Sequence, residues 1–381
     1  MPRVCPEVAR SVFPWTRAGL YSLPAPWCRA GPLPTSAGPA GKGFPRLKTL
    51  SVALALIGLL IGTLLVGASG FGRVAQGVLS AGWGGFGLYV GWQLLMFIPL
   101  GLAWDTLARG LGVRRSGLFI WGRMVRDAAT NCLPFSQLGG FFAGARAIMA
   151  HGAGWPLATA TTVVDVTAEF LAEVLFAMMG ILVVLVHNPH AAVRVPFAIG
   201  LAVALAAAGA FIWVQRGFGS LFTRIAERIA SDRLDGAKHR VERLQIDLDL
   251  LYRHRARLGV GVALHLLGWM ASGVGTFIAY RALGAQISLV AALAIEALLS
   301  AIAAAAFLVP ANIGVQEAGY AGLGALFGMP LELSLAVSLL RRARDLAVGV
   351  PILLVWQGLE LRALRATRLA SAAHEGTPKG R

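Results

Sequence analysis

The sequence predicts an all-α protein that crosses a membrane several times, and three observations lead to this fold class. Of its 381 residues, 57% are hydrophobic and only 14% are charged, whereas soluble domains average about 25% charged residues. Several apolar runs reach the roughly 20 residues that a helix needs to cross the hydrocarbon core. These runs are continuous and do not alternate with polar residues, so the membrane segments are helices and not the strands of a barrel.

The apolar runs predict a polytopic integral membrane protein with about eight helical segments. They are expected at about 50–66, 79–103, 157–186, 196–214, 258–282, 287–309, 313–328 and 331–357.

Proline and glycine interrupt the chain at two places. The first stretch, 128–150, contains Pro134 and Gly139, and the second, 307–328, contains Pro310 and Gly314. A break inside a membrane exposes backbone groups that must be satisfied within the protein or in a wet cavity. We therefore expect re-entrant or discontinuous helices at both places.

The two interrupted stretches share a pattern, which predicts a possible internal repeat. Each has an apolar residue followed by proline, then a glycine, then small residues, including Gly140-x-x-x-Gly144 and Gly324-x-x-x-Gly328. That glycine spacing lets helices approach closely. Interrupted segments in corresponding halves are typical of transporters that bind substrate between repeats.

The formal net charge of +16 belongs to basic residues that lie between the apolar segments. Lys and Arg in this position mark cytoplasmic loops, so the pattern argues against nucleic-acid binding. We expect the protein in a bacterial inner membrane, with both termini and the basic stretches 104–127 and 216–257 on the cytoplasmic side.

The domain organisation follows from the same pattern. Residues 1–46 are proline-rich and contain no long apolar run; we expect a disordered extension, with a transit peptide or a misassigned start codon as alternatives. A membrane domain is expected over 47–360, followed by a basic tail over 361–381. Within the domain, 216–257 has helical amphipathic spacing, which predicts helices on the cytoplasmic membrane face or, alternatively, a protein-docking site.

Ionisable residues inside apolar segments are costly and are functional candidates by default. Asp165, Glu169 and Glu173 recur every four residues, so they lie on one stripe about 12 Å long. Glu296 is a fourth intramembrane acid. His265 is alone in its segment, and either a hydrogen-bonded packing role or a proton-carrying role is open.

Three arginines and an acid, Arg341, Arg342, Arg344 and Asp345, lie within the 331–357 segment. Arg341 and Asp345 share a helix face and are expected to pair. The other guanidiniums need partners among Glu317, Glu296 and the 165–173 acids, or a phosphate group. A purely structural network and a lipid head-group site both remain open.

No motif indicates catalysis. The sequence has no P-loop, no His-Glu-x-x-His, no GxSxG and no CxxC, and its cysteines (Cys5, Cys28 and Cys132) have no metal-ligand spacing. We therefore expect no enzyme activity, no metal and no cofactor.

These residues resemble a known family. The stretches NCLPFSQLGGFFAGARA, TAEFLAEV, VPANIGVQEAGY and SLLRRARDLAVGVPILLVWQ are similar to the transmembrane, flippase-like region of lysylphosphatidylglycerol synthases. They are more similar still to its free-standing relatives, the hopanoid-biosynthesis-associated (HpnL-type) membrane proteins. The resemblance covers about 48–360.

The resemblance implies that the membrane region moves or presents polar lipids between leaflets. By motif, the implied substrate-binding residues lie in three stretches. They are Pro310, Gly314 and Glu317; Arg341, Arg342, Arg344 and Asp345; and Asn131, Pro134 and Gly139. No aminoacyl-transfer domain follows the last segment, so we expect that lysine transfer is not this chain's own activity.

The sequence therefore predicts a lipid translocator, with a hopanoid or another polar or anionic lipid as its partner. The acidic stripe either balances the arginines or takes up coupling protons. A scaffold that binds lipid-biosynthesis proteins through 216–257 is the first alternative, and a lipid-modifying transferase is the second.

Overall fold

The computed structural model describes residues 79–133, 136–187, 235–306, 309 and 312–375, together with isolated positions between 195 and 209. The predicted 50–66 segment, the 1–46 extension, Pro134 and Pro310 lie outside the described residues. Most of the predicted 196–214 segment and the 216–234 part of the amphipathic insertion also lie outside them.

The described residues form helices and no strands, which confirms the predicted all-α membrane fold. We number the α-helices in chain order. They are α1 (Gly82–Ala108), α2 (Ser116–Cys132), α3 (Ser136–Met149), α4 (Trp155–His187), α5 (Asp235–Arg253), α6 (Arg255–Ala282), α7 (Leu289–Ala305), α8 (Val315–Leu326) and α9 (Leu331–Glu375).

Within this part of the chain, three helical segments are long and apolar enough to cross a membrane: Gly82–Leu111, Trp155–His187 and Arg255–Ala282. Helix α7 is apolar but shorter. Helix α9 has 45 residues, or about 68 Å at 1.5 Å per residue. This length exceeds the hydrocarbon thickness of about 30 Å, so one end of α9 extends beyond it, and the helix includes most of the predicted 361–381 tail.

The predicted basic loop at 104–127 is wrong. Helix α1 continues to Ala108, a short 3-10 turn covers Arg109–Leu111, and α2 begins at Ser116. Arg123 and Arg126 therefore lie on a helix and are buried, where they cannot act as loop charges. The density of basic residues in this stretch is typical of a loop; only the partners that Arg123 and Arg126 meet in three dimensions explain their burial.

The first interruption falls where proline predicts it. Leu133 is extended, with φ −105° and ψ 149°, as expected of a residue before proline. Helices α2 and α3 on either side pack closely as a hairpin. A Cβ on Gly140 would lie 2.0 Å from Thr130 Oγ1, and one on Gly144 would lie 2.9 Å from Arg126 Cβ. The glycine pair therefore permits the close packing.

The second interruption differs in detail. Asn312 and Gly314 both have positive φ, +51° and +81°, a conformation that glycine and asparagine tolerate best. Gly324 packs closely against Ser334, but Gly328 ends α8 with φ +72° and faces open space. The expected likeness between Gly140-x-x-x-Gly144 and Gly324-x-x-x-Gly328 is thus wrong for the last glycine, which serves as a helix stop.

Helix α6 lies at the centre of the described helices and packs against α1, α4 and α7. Its small residues allow this contact, since Gly268 lies against Leu100 of α1 and Gly273 against Leu293 of α7. Helix α5 packs against α4. Its predicted apolar face is buried at Leu244 and Leu251, so this half of the 216–257 segment is part of the folded domain.

Candidate functional site

The arginines of α9 meet acids from α7 and α8 in what we call the second charge cluster. Its members are Glu296, Glu317, Arg341, Arg342, Arg344 and Asp345. Each arginine has its own carboxylate: Arg341 pairs with Glu296, Arg342 with Glu317 and Arg344 with Asp345, all at 2.6 Å. Three positive and three negative groups make this cluster electrically neutral when all are ionised.

Glu296 is the most completely bonded acid of the second charge cluster. It is fully buried and receives hydrogen bonds of 2.6 Å from Ser272 and Thr276 of α6. Arg341 donates to both of its oxygens, at 2.8 and 2.6 Å, and also to the Tyr320 hydroxyl at 3.1 Å. A buried charge is tolerated only with such a full set of partners.

Glu317 links the second interruption to α9. Its carboxylate accepts a hydrogen bond from the Gly314 backbone N–H at 2.7 Å, which satisfies one free donor at the start of α8. Arg342 binds the same carboxylate through two nitrogens, at 2.6 and 3.1 Å, and also donates to the Asn312 carbonyl at 3.3 Å. The side chain of Arg342 is 26% exposed.

Arg344 is buried against α1. It donates to Asp345 at 3.0 and 2.6 Å and to the Tyr89 hydroxyl at 2.9 Å, and its guanidinium lies 4.6 Å from the Tyr89 ring centre. The predicted pairing of Arg341 with Asp345 is wrong. The adjacent Arg344 bonds Asp345 instead, because Arg341 reaches Glu296 across the helix interface.

Asn312 is the residue in the second interruption that sequence reasoning missed. Its side-chain oxygen Oδ1 is buried and has no hydrogen-bond partner among the described residues. A buried acceptor without a partner costs roughly 1–3 kcal/mol, so it marks a place where a polar ligand group or water belongs. The signal in the sequence is the asparagine two residues before Gly314, since asparagine also adopts left-handed conformations.

A separate group of charges, the first charge cluster, joins α2 and α4. Its members are Arg123, Arg126, Asp127, Asp165, Glu169 and Glu173, with His265 of α6. Arg126 bonds Asp165 at 2.9 Å and also Glu169, and Arg123 bonds Glu169 at 2.6 Å and Asp127 at 3.0 Å. Both guanidiniums are buried, so this is an ion network within the bundle.

The first charge cluster corrects the expectation that the acidic stripe balances the arginines of α9. Asp165 and Glu169 bind Arg123 and Arg126 instead. His265 is fully buried and its Nε2 lies 2.9 Å from Asp165 Oδ1. Glu173 is partly buried. No ion pair of Glu173 is found among the described residues.

The residues predicted from the first interruption do not join either cluster through a side-chain contact in this part of the structure. Asn131 is exposed, and Gly139 lies within α3. The nearby Cys132 does reach α9, with its thiol 3.6 Å from the Asp345 carbonyl oxygen. The end of α2 therefore packs beside the second charge cluster, although its predicted polar residue points elsewhere.

The comparison with protein families identifies the region that contains both clusters. A model described as the lysylphosphatidylglycerol synthase TM region matches residues 52–352, well over half of the 381 residues. No curated protein and no solved structure is significantly similar to the chain. The family is a membrane domain associated with lipid flippase and synthase function. The chain therefore belongs to the family of the lysylphosphatidylglycerol synthase transmembrane region.

Proposed function

We propose that this protein moves a polar lipid between the leaflets of a bacterial inner membrane and takes up its head group at the second charge cluster. Hopanoids are candidate cargo, because the sequence resembles the hopanoid-biosynthesis-associated relatives. In this proposal the chain is a transporter and not an enzyme, and both termini are cytoplasmic.

The observation that supports the head-group site most directly is the second interruption. Asn312 Oδ1, which has no hydrogen-bond partner among the described residues, belongs to the residue whose backbone carbonyl accepts a hydrogen bond from Arg342. Arg342 is partly exposed, and Arg341 is 20% exposed. A lipid head group at this turn would meet the Asn312 acceptor and the partly exposed guanidinium of Arg342, with Arg341 one residue earlier on the same helix.

The neutrality of the second charge cluster favours one class of head group. An anionic head group that bound Arg342 would compete with Glu317 and leave a buried carboxylate without its partner, which is costly. An uncharged polyol or a zwitterion can add hydrogen bonds without displacing the acid. We therefore expect a preference for polar uncharged or zwitterionic lipids over anionic ones.

Reconstitution tests this proposal. Purified protein in proteoliposomes is supplied with acyl-labelled phosphatidylethanolamine or phosphatidylglycerol, and the label in the outer leaflet is bleached at intervals to measure translocation. We expect translocation with a preference for the zwitterionic probe, and a loss with Arg342→Gln or Asn312→Ala. The matched control is Arg146→Gln, because Arg146 pairs with Glu360 outside both clusters. Equal rates with and without protein would refute the proposal.

Lipidomics of separated membranes tests the cargo in the cell. In a deletion strain, a hopanoid that is made but does not reach its destination membrane supports transport, provided wild type restores it and Arg342→Gln does not. A lipid that is never made points to synthesis or scaffolding instead.

One observation favours the scaffold alternative as a second candidate. Helix α5 buries one face against α4, yet its outward face exposes Ile246 by 52% and Leu250 by 41%. A lipid-biosynthesis protein that docked there would depend on these two apolar residues. Replacing both with Gln separates the proposals, since the scaffold predicts a loss of the lipid phenotype while reconstituted translocation stays normal.

A further inference from the structure

The two clusters differ in charge balance, and this difference leads to a prediction about energy coupling. The first charge cluster has two guanidiniums, on Arg123 and Arg126, against four carboxylates on Asp127, Asp165, Glu169 and Glu173. Among the described residues it has an excess of two negative charges when His265 is neutral. An uncompensated charge away from water is expensive and is commonly removed by binding a proton.

The ion pairs indicate which groups are available for that proton. Arg126 bonds both Asp165 and Glu169, and Arg123 bonds Glu169 and Asp127. These three carboxylates are therefore in direct contact with guanidinium groups. Glu173, one helical turn beyond Glu169, has no such contact in the described part of the chain. It is the carboxyl of this cluster that is free to hold a proton.

His265 provides an independent observation. The ring is fully buried, and Nε2 faces Asp165 at 2.9 Å. The other nitrogen, Nδ1, is buried without a hydrogen-bond partner among the described residues. A neutral ring that donates from Nε2 to Asp165 leaves a bare lone pair at Nδ1, and a proton can add there. Asp165 would stabilise the resulting imidazolium.

Other ionisable groups lie on the helices that neighbour α4 and α6. They include Asp105 and Arg109, paired at the end of α1; Arg123, Arg126 and Asp127 on α2; Arg146 on α3, paired with Glu360; Tyr252 on α5, bonded to Thr167; Glu296 on α7; and Arg341 on α9. The cations of this set are all bound to carboxylates. No ion pair between any of them and Glu173 is found among the described residues.

We propose that the first charge cluster binds one exchangeable proton, held by Glu173 or His265, and that this proton is the ion coupled to lipid movement. The coupling part rests on the proposed function. The proton comes from water on one side of the membrane, adds to a carboxylate oxygen or to Nδ1, and leaves to water on the other side. Only an O–H or N–H bond forms and breaks.

Helix α6 offers the physical route between the proton and the lipid. His265 contacts the first charge cluster, and Ser272 and Thr276 on the same helix donate to Glu296 in the second. The distance along the helix from residue 265 to residue 272 is about 10 Å. If α6 shifts or rotates when His265 gains charge, Ser272 and Thr276 move relative to Glu296. Glu296 is the carboxylate that Arg341 binds, so the ion pair of Arg341 changes as well.

Infrared difference spectroscopy on the reconstituted protein tests the proton site without using transport. A pH step should produce a protonated-carboxyl band that moves in D2O, that disappears in Glu173→Gln and that persists in Glu173→Asp. The matched control, Asp249→Asn, removes an exposed acid of α5 and should leave the band unchanged.

Nitrogen-15 NMR of labelled histidine should show His265 titrating, with His254→Gln as the control that removes an exposed histidine. A Glu173→Gln spectrum identical to wild type, together with a His265 signal that does not titrate, overturns the proton site.

An imposed pH gradient tests the coupling. For one proton per lipid, a gradient of one pH unit shifts the lipid distribution between leaflets by up to about tenfold. Glu173→Gln should abolish this shift. If the wild-type protein equilibrates lipid but the pH gradient does not change the lipid distribution, the coupling proposal is refuted and the proposed function is retained. If no lipid moves under any condition, the proposed function and the coupling fall together, while the spectra still report on the proton site.

Discussion

The two charge clusters resemble each other in composition but exchange the positions of their charges. In the first, the arginines lie on α2, before an interruption, and three of the four acids lie on the long helix α4 after it. In the second, Glu296 lies on α7 before an interruption, and the arginines lie on the long helix α9 after it. The ion pairs Arg126–Asp165 and Arg341–Glu296 thus cross an interruption with their charges in opposite order.

This exchange has consequences for what each cluster can do. The first charge cluster has more acids than guanidiniums and its ion pairs are buried, since Asp165 and His265 are fully buried and Arg126 is 5% exposed, while Glu173 is partly exposed. The second is balanced, Arg341 and Arg342 are partly exposed, and Arg342 bonds Asn312, whose buried Oδ1 has no hydrogen-bond partner in the described part of the chain. An acid excess suits proton binding, whereas a balanced, accessible cluster suits a polar head group.

The largest expected effect is at Arg126. Replacing it with Gln removes the ion pairs of Arg126 with Asp165 and with Glu169. Breaking a buried ion pair costs about 3–5 kcal/mol. We expect a large fall in the thermal unfolding midpoint in detergent, measured by fluorescence-detected size exclusion. Arg146→Gln, at a more exposed pair, should cost no more than about 1 kcal/mol. Equal midpoints for the two variants would contradict the burial argument.

A double-mutant cycle at Arg341 and Glu296 is expected to show the next largest effect. Each single change, Arg341→Met or Glu296→Leu, leaves one buried charge unpaired and should cost about 3 kcal/mol. The double variant should be more stable than the sum of the two predicts, because neither charge remains. The cycle is measured by the same thermal assay. Additive effects would show that the two side chains do not depend on each other.

Close packing of the first interruption predicts a smaller effect. A Cβ at Gly140 meets Thr130 Oγ1 at 2.0 Å, so Gly140→Ala should destabilise by about 1–3 kcal/mol through overpacking. The control is Gly91→Ala in α1, where a Cβ meets nothing within 4 Å; alanine should stabilise that helix by up to about 1 kcal/mol. We expect Gly140→Ala to lower the thermal unfolding midpoint and Gly91→Ala to raise it. A shift in the same direction for both variants would contradict the packing argument.

The smallest effect is expected at Tyr89. Phenylalanine keeps the ring beneath Arg344 but removes the hydroxyl that accepts its hydrogen bond. Because Arg344 keeps both bonds to Asp345, we expect a cost of about 0.5–1.5 kcal/mol. Tyr89→Leu removes the ring as well and should cost more. If both variants have the same unfolding midpoint, the ring contact contributes nothing measurable beside Arg344.

Much of the fold was predictable because apolar runs and proline interruptions are local signals. The α4 and α6 segments begin and end within a few residues of the predicted bounds. The interruption after Leu133 follows from the proline beside it. The buried face of α5 at Leu244 and Leu251 follows from helical spacing.

The partners of the charged residues were not predictable in the same way. Arg123 and Arg126 belong to a stretch dense in basic residues, which predicts loop charges, yet they bind acids about 40 residues away. Arg341 was predicted to bind Asp345, one turn along the same helix, but binds Glu296 on another helix. Ion pairs of this kind depend on which helices meet and in what rotation.

By itself, the sequence determined that this chain is a helical membrane protein, where a proline interrupts its helices and that acids such as Asp165, Glu169 and Glu296 lie within apolar helices. Those properties depend on hydrophobicity and backbone restrictions, which act over a few neighbouring residues. The tertiary structure alone decided that the charges form two separate clusters, one with excess acid and one in balance. The reason is that a buried charge must find its partner in space, and helix packing brings together residues that are far apart in the chain.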